Sequence, residues 1–157
     1  MKRVLLIACI VFSIAAAILV IELHVREEND DGFSCIANYI QHTKGFRIEM
    51  MISYTFGVKK GIINLSGIAT DETGKEWSLD RQVIFQYHRE KNIYFLTSVR
   101  TTRFSDDNED TSILSRYIPS FYLEDSNKIV LKILPDGGSN YLFFLEPIPI
   151  YNCKRSL

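Results

Sequence analysis

The chain has 157 residues, with 18 basic and 19 acidic side chains and a formal net charge of −1. This balance argues against nucleic-acid binding, which needs a dominant basic patch. The length leaves room for one domain of ordinary size, about 125 residues, once the N-terminal segment is set aside.

An unbroken apolar run, Val4–Ile21, follows Lys2 and Arg3. As a helix rising about 1.5 Å per residue it would span about 27 Å, close to the hydrocarbon thickness of a thin bilayer. Cations before the run and acids after it predict a cytoplasmic N-terminus and export of the rest. We predict a cytoplasmic N-terminus (residues 1–3), a transmembrane helix (4–21), a tether (22–34) and an exported β-rich domain (35–157).

Two other interpretations of the run are weaker. A cleaved signal could use Ala15–Ala17 as its cleavage site, but Ile18–Ile21 would then remain as an apolar tail. This interpretation stays as the alternative to a permanent anchor. A lipoprotein signal ending at Cys9 is rejected, because Val4–Ala8 is too short for the apolar region of a signal.

The other two cysteines, Cys35 and Cys153, lie near the two ends of the exported domain. In an oxidising compartment such a pair is expected to form a disulfide. The bond would close a loop of more than one hundred residues, which the chain-entropy argument values at up to about 4.7 kcal/mol.

The segment Cys35–Gly45 could form one or two helical turns, because Ile36, Tyr39 and Ile40 share a helical face. After it the apolar period changes to two, and short polar turns separate the apolar runs. This pattern predicts a mainly β, antiparallel meander that curls into a barrel or half-barrel. The predicted strands are Phe46–Phe56, Gly61–Thr70, Trp77–His88, Ile93–Thr102, Lys128–Leu134 and Tyr141–Leu145, with a seventh near the C-terminus.

A short helix is predicted between the fourth and fifth of these strands. Asp110 can cap it, it would run over Thr111–Ile118, and Pro119 would end it. The acidic stretch before it, Asp106–Asp110, is not a calcium loop, because the glycine and glutamate of an EF-hand are missing at the required positions. We expect a solvated loop there.

No local motif for catalysis, a cofactor or a metal is present, and we predict a protein that is not an enzyme. The histidines His24, His42 and His88 are scattered along the chain. A hydrolase would need a site assembled around His42 or His88 from distant residues.

Arg81 is the most unusual polar residue, because it falls on the apolar face of a predicted strand. A buried arginine is costly unless it is paired. It is therefore either part of an internal ion pair or the anchor for an anionic or amphipathic ligand in the barrel lumen.

Several segments occur together in a distinctive order: the apolar N-terminus, Cys35, "GIINLSG" (Gly61–Gly67), "DRQVIFQY" (Asp80–Tyr87), "LSRYIPSF" (Leu114–Phe121) and "PIPIYNC" (Pro147–Cys153). In these segments the chain resembles the FidL-like family of small enterobacterial inner-membrane proteins. The resemblance implies a single-pass protein of the bacterial inner membrane with a periplasmic C-terminal domain. It also implies a role similar to that of ToxS-like companions, which bind and stabilise ToxR-type membrane-anchored transcription regulators.

The first functional hypothesis is therefore a signalling protein whose periplasmic domain binds and stabilises or modulates a membrane-anchored regulator. It uses no cofactor and does not contact nucleic acid directly. The alternative is a periplasmic sensor, because some such companions have lipocalin-like barrels that hold bile salts. Such a sensor would bind a bile-salt-like amphipathic molecule in its lumen.

Overall fold

The computed structural model describes residues 12–16, 18, 32–43, 45–108 and 111–156, and it divides the chain into two compact units, Met1–Asp31 and Gly32–Leu157. In the first unit, residues 12–16 and 18 are helical and exposed. The rest of the predicted transmembrane helix, Cys9 and most of the predicted tether lie outside the described residues. Within those residues, no helix is long and apolar enough to cross a membrane.

In its described part, the second unit is a closed antiparallel barrel of eight strands joined in sequence order. Two short helical segments, Thr111–Leu114 and the 3-10 turn Ser120–Tyr122, lie in the connection between the fifth and sixth strands. The strands are β1 (Ser34–Thr43), β2 (Phe46–Phe56), β3 (Lys60–Asp71), β4 (Glu76–Glu90), β5 (Ile93–Arg103), β6 (Lys128–Pro135), β7 (Asn140–Leu145) and β8 (Ile148–Arg155).

The barrel forms because the long strands alternate between a buried and a more exposed face. In β2 every second residue from Phe46 to Phe56 is buried, and the residues between them are half-buried or exposed. The inward side chains of the strands fill the lumen as one hydrophobic core. The predicted mainly β, antiparallel fold is therefore confirmed, and the barrel is closed rather than half-open.

The helical turns predicted for Cys35–Gly45 are wrong, because Ser34–Thr43 is strand β1. Cys35 and Ala37 point into the barrel, whereas Ile36 and Ile40 lie exposed on its outer face. Those two exposed isoleucines produced the apparent helical spacing. Every residue of β1 pairs with a residue of β2, and this pairing makes the segment a strand rather than a helix.

The strand count of six or seven is also too low, because β1 was not among the predicted strands. The seventh strand predicted near the C-terminus is confirmed as β8, in spite of its proline. β8 pairs with β7 from Ile148 to Lys154 and reaches β1 at its far end. A proline is tolerated in a strand where one edge is unpaired. Pro149 lies in the part of β8 that pairs with β7 but has no described partner in β1.

The two rims of the barrel differ. The upper rim carries the start of β1 and the β2–β3, β4–β5 and β6–β7 turns. The lower rim carries the remaining turns and the long β5–β6 connection, residues 104–127. Because β6, β7 and β8 are shorter than β1 to β5, this connection has space to fold into the lower half of the lumen. Its residues Leu114, Ile118, Phe121 and Tyr122 are buried there.

The barrel closes at a seam between β1 and β8. In the described ladder, Cys35 pairs with Arg155 and Ile36 with Lys154, and the Ser156 amide donates to the Ser34 carbonyl at 3.0 Å. Further along, Ala37–Thr43 has no paired residue in β8 among the residues described. The predicted disulfide Cys35–Cys153 lies beside the paired part of the seam, fully buried, with 5.4 Å between the two Cα atoms.

We expect the disulfide to contribute much of the stability of the barrel, because so short a ladder closes it. Replacing both cysteines by alanine should lower the free energy of unfolding by about 2–5 kcal/mol. Urea unfolding followed by the fluorescence of Trp77, the single tryptophan, measures this change. Dithiothreitol should destabilise the natural chain by a similar amount and leave the variant unaffected. A loss below about 1 kcal/mol would contradict this role.

Candidate functional site

Arg81 lies inside the barrel and is paired. It points inward from β4 and is fully buried. Its Nε donates to Asp107 Oδ2 at 2.6 Å, and its Nη2 donates to Asp107 Oδ1 at 3.2 Å. Of the two interpretations of Arg81, the structure therefore shows the internal ion pair.

The partner, Asp107, was expected in a solvated loop, and that expectation is wrong for this residue. Its side chain is fully buried, and Oδ2 also accepts a hydrogen bond from the Asp80 amide at 3.2 Å. Arg103 Nη2 adds a second ion pair to Oδ1 at 3.0 Å. The neighbours Asp106 and Asn108 are exposed as expected. An acidic run alone does not reveal which carboxylate meets a buried cation.

The ion pair fixes the start of the β5–β6 connection, and Ser98 on β5 fixes its end. The Ser98 hydroxyl donates to the Glu124 carbonyl at 2.8 Å and accepts from the Asn127 amide at 3.0 Å. The Thr101 amide donates to Asp125 Oδ1 at 2.5 Å. With both ends held, the middle of the connection becomes a fixed wall inside the barrel.

That wall, the seam and the nearby strands enclose a pocket of about 350 Å³, called here the tyrosine pocket. Its lining is mainly apolar and comes from β1, β2, β6, β7, β8 and the connection. The aliphatic residues are Met50, Ile52, Ile118, Ile129, Leu145 and Ile150, and the aromatic ones are Tyr39, Tyr117, Tyr122 and Tyr151. Tyr39 and Tyr151 meet edge to face across the seam, with ring centroids 6.3 Å apart.

Three tyrosine hydroxyls meet beside the pocket, which Tyr122 and Tyr151 line and Tyr54 does not. The Tyr54 hydroxyl is hydrogen-bonded to that of Tyr122 at 2.7 Å and also to that of Tyr151. The Tyr122 and Tyr151 hydroxyls are 3.4 Å apart. Alternation placed Tyr54 inside the barrel, but no sequence signal linked it to tyrosines 68 and 97 residues away.

The environment keeps these hydroxyls protonated. Burial raises the pKa of Tyr54 and Tyr151 well above the ordinary value of 10, and burial also raises the pKa of Tyr122. At neutral pH the three groups are therefore uncharged and can both donate and accept hydrogen bonds. This chemistry suits recognition of a hydroxyl or carbonyl group.

Arg116 is the only charged side chain among the described residues that line the tyrosine pocket. It lies in the connection, follows the helical segment Thr111–Leu114 and is exposed. An arginine at the mouth of an apolar pocket can hold a carboxylate, sulfate or phosphate through two parallel hydrogen bonds. Arg81, the candidate from the sequence, does not line this pocket.

The histidines considered in the sequence lie away from the pocket. His42 is exposed near the end of β1, and His88 is exposed on β4, stacked on Phe95 with ring centroids 4.5 Å apart. His24 lies outside the described residues. Among the described residues, no three or more histidine, cysteine or acidic side chains are grouped so that they could hold a metal ion.

Comparison with known proteins gives one family. The sequence model of the YqeJ C-terminal domain matches residues 32–153, which include nearly the whole barrel. The chain is also similar to "Uncharacterized protein YqeJ" of Escherichia coli (strain K12), with 23% identity over 125 residues, covering 78% of each chain. No solved structure matches. These matches do not confirm the FidL-like resemblance.

The ion pair at the lower rim provides a stability test. Arg81→Met should lower the free energy of unfolding by about 3–5 kcal/mol, because it leaves a buried carboxylate with a partly exposed partner. The matched control Arg103→Met removes a side chain that is 45% exposed, and it should cost at most about 1 kcal/mol. Urea unfolding followed by Trp77 fluorescence compares the two. Equal losses would show that Arg81 does not hold the connection.

Proposed function

The chain belongs to the family of the YqeJ C-terminal domain, and we propose that it acts by binding rather than by catalysis, with an anionic amphipathic molecule held in the tyrosine pocket. The observation that carries this proposal is the combination of an apolar pocket, inward hydroxyls and one cation at the mouth. Ligand sites are typically concave and apolar with a few convergent polar groups.

The apolar lining supports a ligand with a hydrocarbon body. A volume of about 350 Å³ is near the lower end of the range for small-molecule sites, about 300–1,000 Å³. This size favours a single acyl chain or a small ring system over a large fused-ring molecule. Each methylene group buried there would contribute about 0.8 kcal/mol to the binding free energy.

The polar groups support an orientation for that ligand. Arg116 at the mouth would hold an anionic head. Tyr122 and Tyr151 also line the pocket, and their hydroxyls are hydrogen-bonded to that of Tyr54. A hydroxyl on the distal part of the ligand could join their hydrogen-bond network. A hydroxylated fatty acid satisfies all of these groups and fits the volume, whereas a bile-salt-like acid offers the same polar groups on a larger body.

Calorimetric titration of the purified chain with decanoate tests the proposal. We expect saturable binding, weakened about tenfold or more in Arg116→Ala, since a hydrogen bond to a charged group contributes about 1.5–3 kcal/mol. Arg100→Ala, which removes an exposed arginine outside the pocket, should bind as the natural chain does. Decanol should bind the natural chain and Arg116→Ala alike. The absence of saturable binding by decanoate, cholate and 10-hydroxydecanoate would refute the proposal.

A second function is the one implied by the FidL-like and ToxS-like resemblance. In this proposal the chain is a single-pass protein of the bacterial inner membrane, and its periplasmic, lipocalin-like barrel binds and stabilises a membrane-anchored regulator. A shared membrane would raise the effective concentration of both partners. The protein would then report on a ligand through its contact with the regulator.

The observation that favours a partner is the free edge at the seam. In the described part of the chain, the edge of β1 from Ala37 to Thr43 is unpaired on the β8 side, and it carries the exposed side chain of Ile40, 59% accessible. Unpaired strand edges are templates for an added strand. A strand of the regulator could pair there and cover Ile40.

Recovery of the regulator with the tagged chain from membranes tests this second function. Ile40→Lys should reduce the amount of co-purified regulator at least fivefold, because a charge would have to be desolvated at the edge. The control Ile68→Lys alters a similarly exposed isoleucine on β3, a strand paired on both sides. Equal recovery with both variants, or no membrane-anchored regulator in the eluate, would contradict it.

A further inference from the structure

A second concave surface lies on the outside of the barrel, beside the upper rim, and it shares no residue with the tyrosine pocket. This groove has a volume of about 540 Å³ and is formed by the β2–β3 turn and the outer faces of β3, β4 and β5. Lys59 and Lys60 line one side of it, and both are exposed. No acidic side chain is found among the described residues that line it.

The groove is positively charged, whereas the protein as a whole has a net negative charge. Beyond residue 21 the chain has 16 basic and 19 acidic residues, a net charge of −3. Two adjacent lysines facing a groove without acids therefore form a local exception. A lysine ammonium is a compact charge that suits phosphate, which accepts hydrogen bonds from it in many directions.

The turn that carries these lysines is held firmly against β4. The Tyr87 amide donates to the Lys59 carbonyl at 3.0 Å, and the Tyr87 hydroxyl donates to the Gly57 carbonyl at 2.8 Å. The Gly57 amide donates to the Lys60 carbonyl at 2.8 Å. The backbone at both lysines is thus already ordered, which lowers the entropy lost on binding.

The floor of the groove offers a ring platform and neutral hydrogen-bonding groups. The His88 and Phe95 rings stack face to face, 2° apart in tilt, so each ring covers one face of the other and keeps one outer face. In the ladder next to them, Lys60 lies opposite Gln86, and Gln86 lies opposite Thr97. An amide and a hydroxyl at this position can bind the hydroxyl groups of a sugar.

We propose that this groove binds a phosphorylated sugar, either free or as the headgroup of a lipid. The phosphate lies between Lys59 and Lys60, and Gln86 and Thr97 bind the hydroxyl groups of the sugar. The apolar face of the sugar ring packs on the outer face of one ring of the His88–Phe95 pair. The site is independent of the tyrosine pocket, so either can be lost without the other.

Calorimetric titration of the purified full chain, in a buffer free of phosphate and sugar-based detergents, tests the site. We expect glucose 6-phosphate to bind saturably, with inorganic phosphate and glucose each at least tenfold weaker. Lys59→Ala/Lys60→Ala should bind glucose 6-phosphate at least tenfold more weakly. The control Lys75→Ala/Lys154→Ala, which removes two exposed lysines that do not line the groove, should bind it as the natural chain does.

A water-soluble lipid, dioctanoyl phosphatidylinositol 4-phosphate, separates the two sources of the ligand. Affinity for it that is at least tenfold higher than for glucose 6-phosphate, and that is lost in Lys59→Ala/Lys60→Ala, assigns the groove to a lipid headgroup. Equal affinities assign it to a free sugar phosphate. The proposal is overturned if nothing saturates, if inorganic phosphate binds as well as glucose 6-phosphate, if both double variants bind alike, or if only a polyglutamate peptide binds the groove.

Discussion

The buried ion pair between Arg81 and Asp107 is the constraint on which the interior of this barrel depends. Two charges removed from water must stay together, so the β5–β6 connection cannot leave the lumen without removing Asp107 from the buried Arg81 guanidinium. Once Asp107 is fixed, the residues after it fill the lower half of the barrel, and Ser98 receives the end of the connection. The tyrosine pocket is the space that remains beside this inserted wall.

The tyrosine pocket, the unpaired edge of β1 and the outer groove differ in the chemical groups that they present. The tyrosine pocket is apolar and ends at neutral hydroxyls, the unpaired edge of β1 offers backbone groups, and the outer groove offers lysines beside a ring platform. The pocket and the unpaired edge are adjacent, because Tyr39 on β1 and Tyr151 on β8 line the pocket. A molecule bound in the pocket would therefore change the seam that a partner strand would use. The groove lies elsewhere and does not depend on this coupling.

The sequence predicted the antiparallel order and the inward position of Arg81, because both rest on local alternation. It also predicted the Cys35–Cys153 pair, from the chemistry of two cysteines in an oxidising compartment. It missed β1, since its outer-face isoleucines imitate helical spacing, and it missed Asp107, since four other polar residues surround it in "DDNED". The hydroxyl cluster of Tyr54, Tyr122 and Tyr151 could not be predicted, because barrel closure alone brings these distant residues together. The choice of Asp107 as the partner of Arg81 could not be predicted either, because the fold of the β5–β6 connection brings the two residues together.

The order of the strands also bears on how the chain folds. Each strand from β1 to β7 pairs with the next one along the chain, so hairpins can add one at a time with little loop-closure entropy. The exception is the contact between β1 and β8, whose cysteines are 118 residues apart in sequence. Contacts of such separation form late and slow the reaction. Oxidation of Cys35 with Cys153 therefore marks molecules that have completed the cylinder, and an oxidising folding compartment would retain those molecules in the finished state.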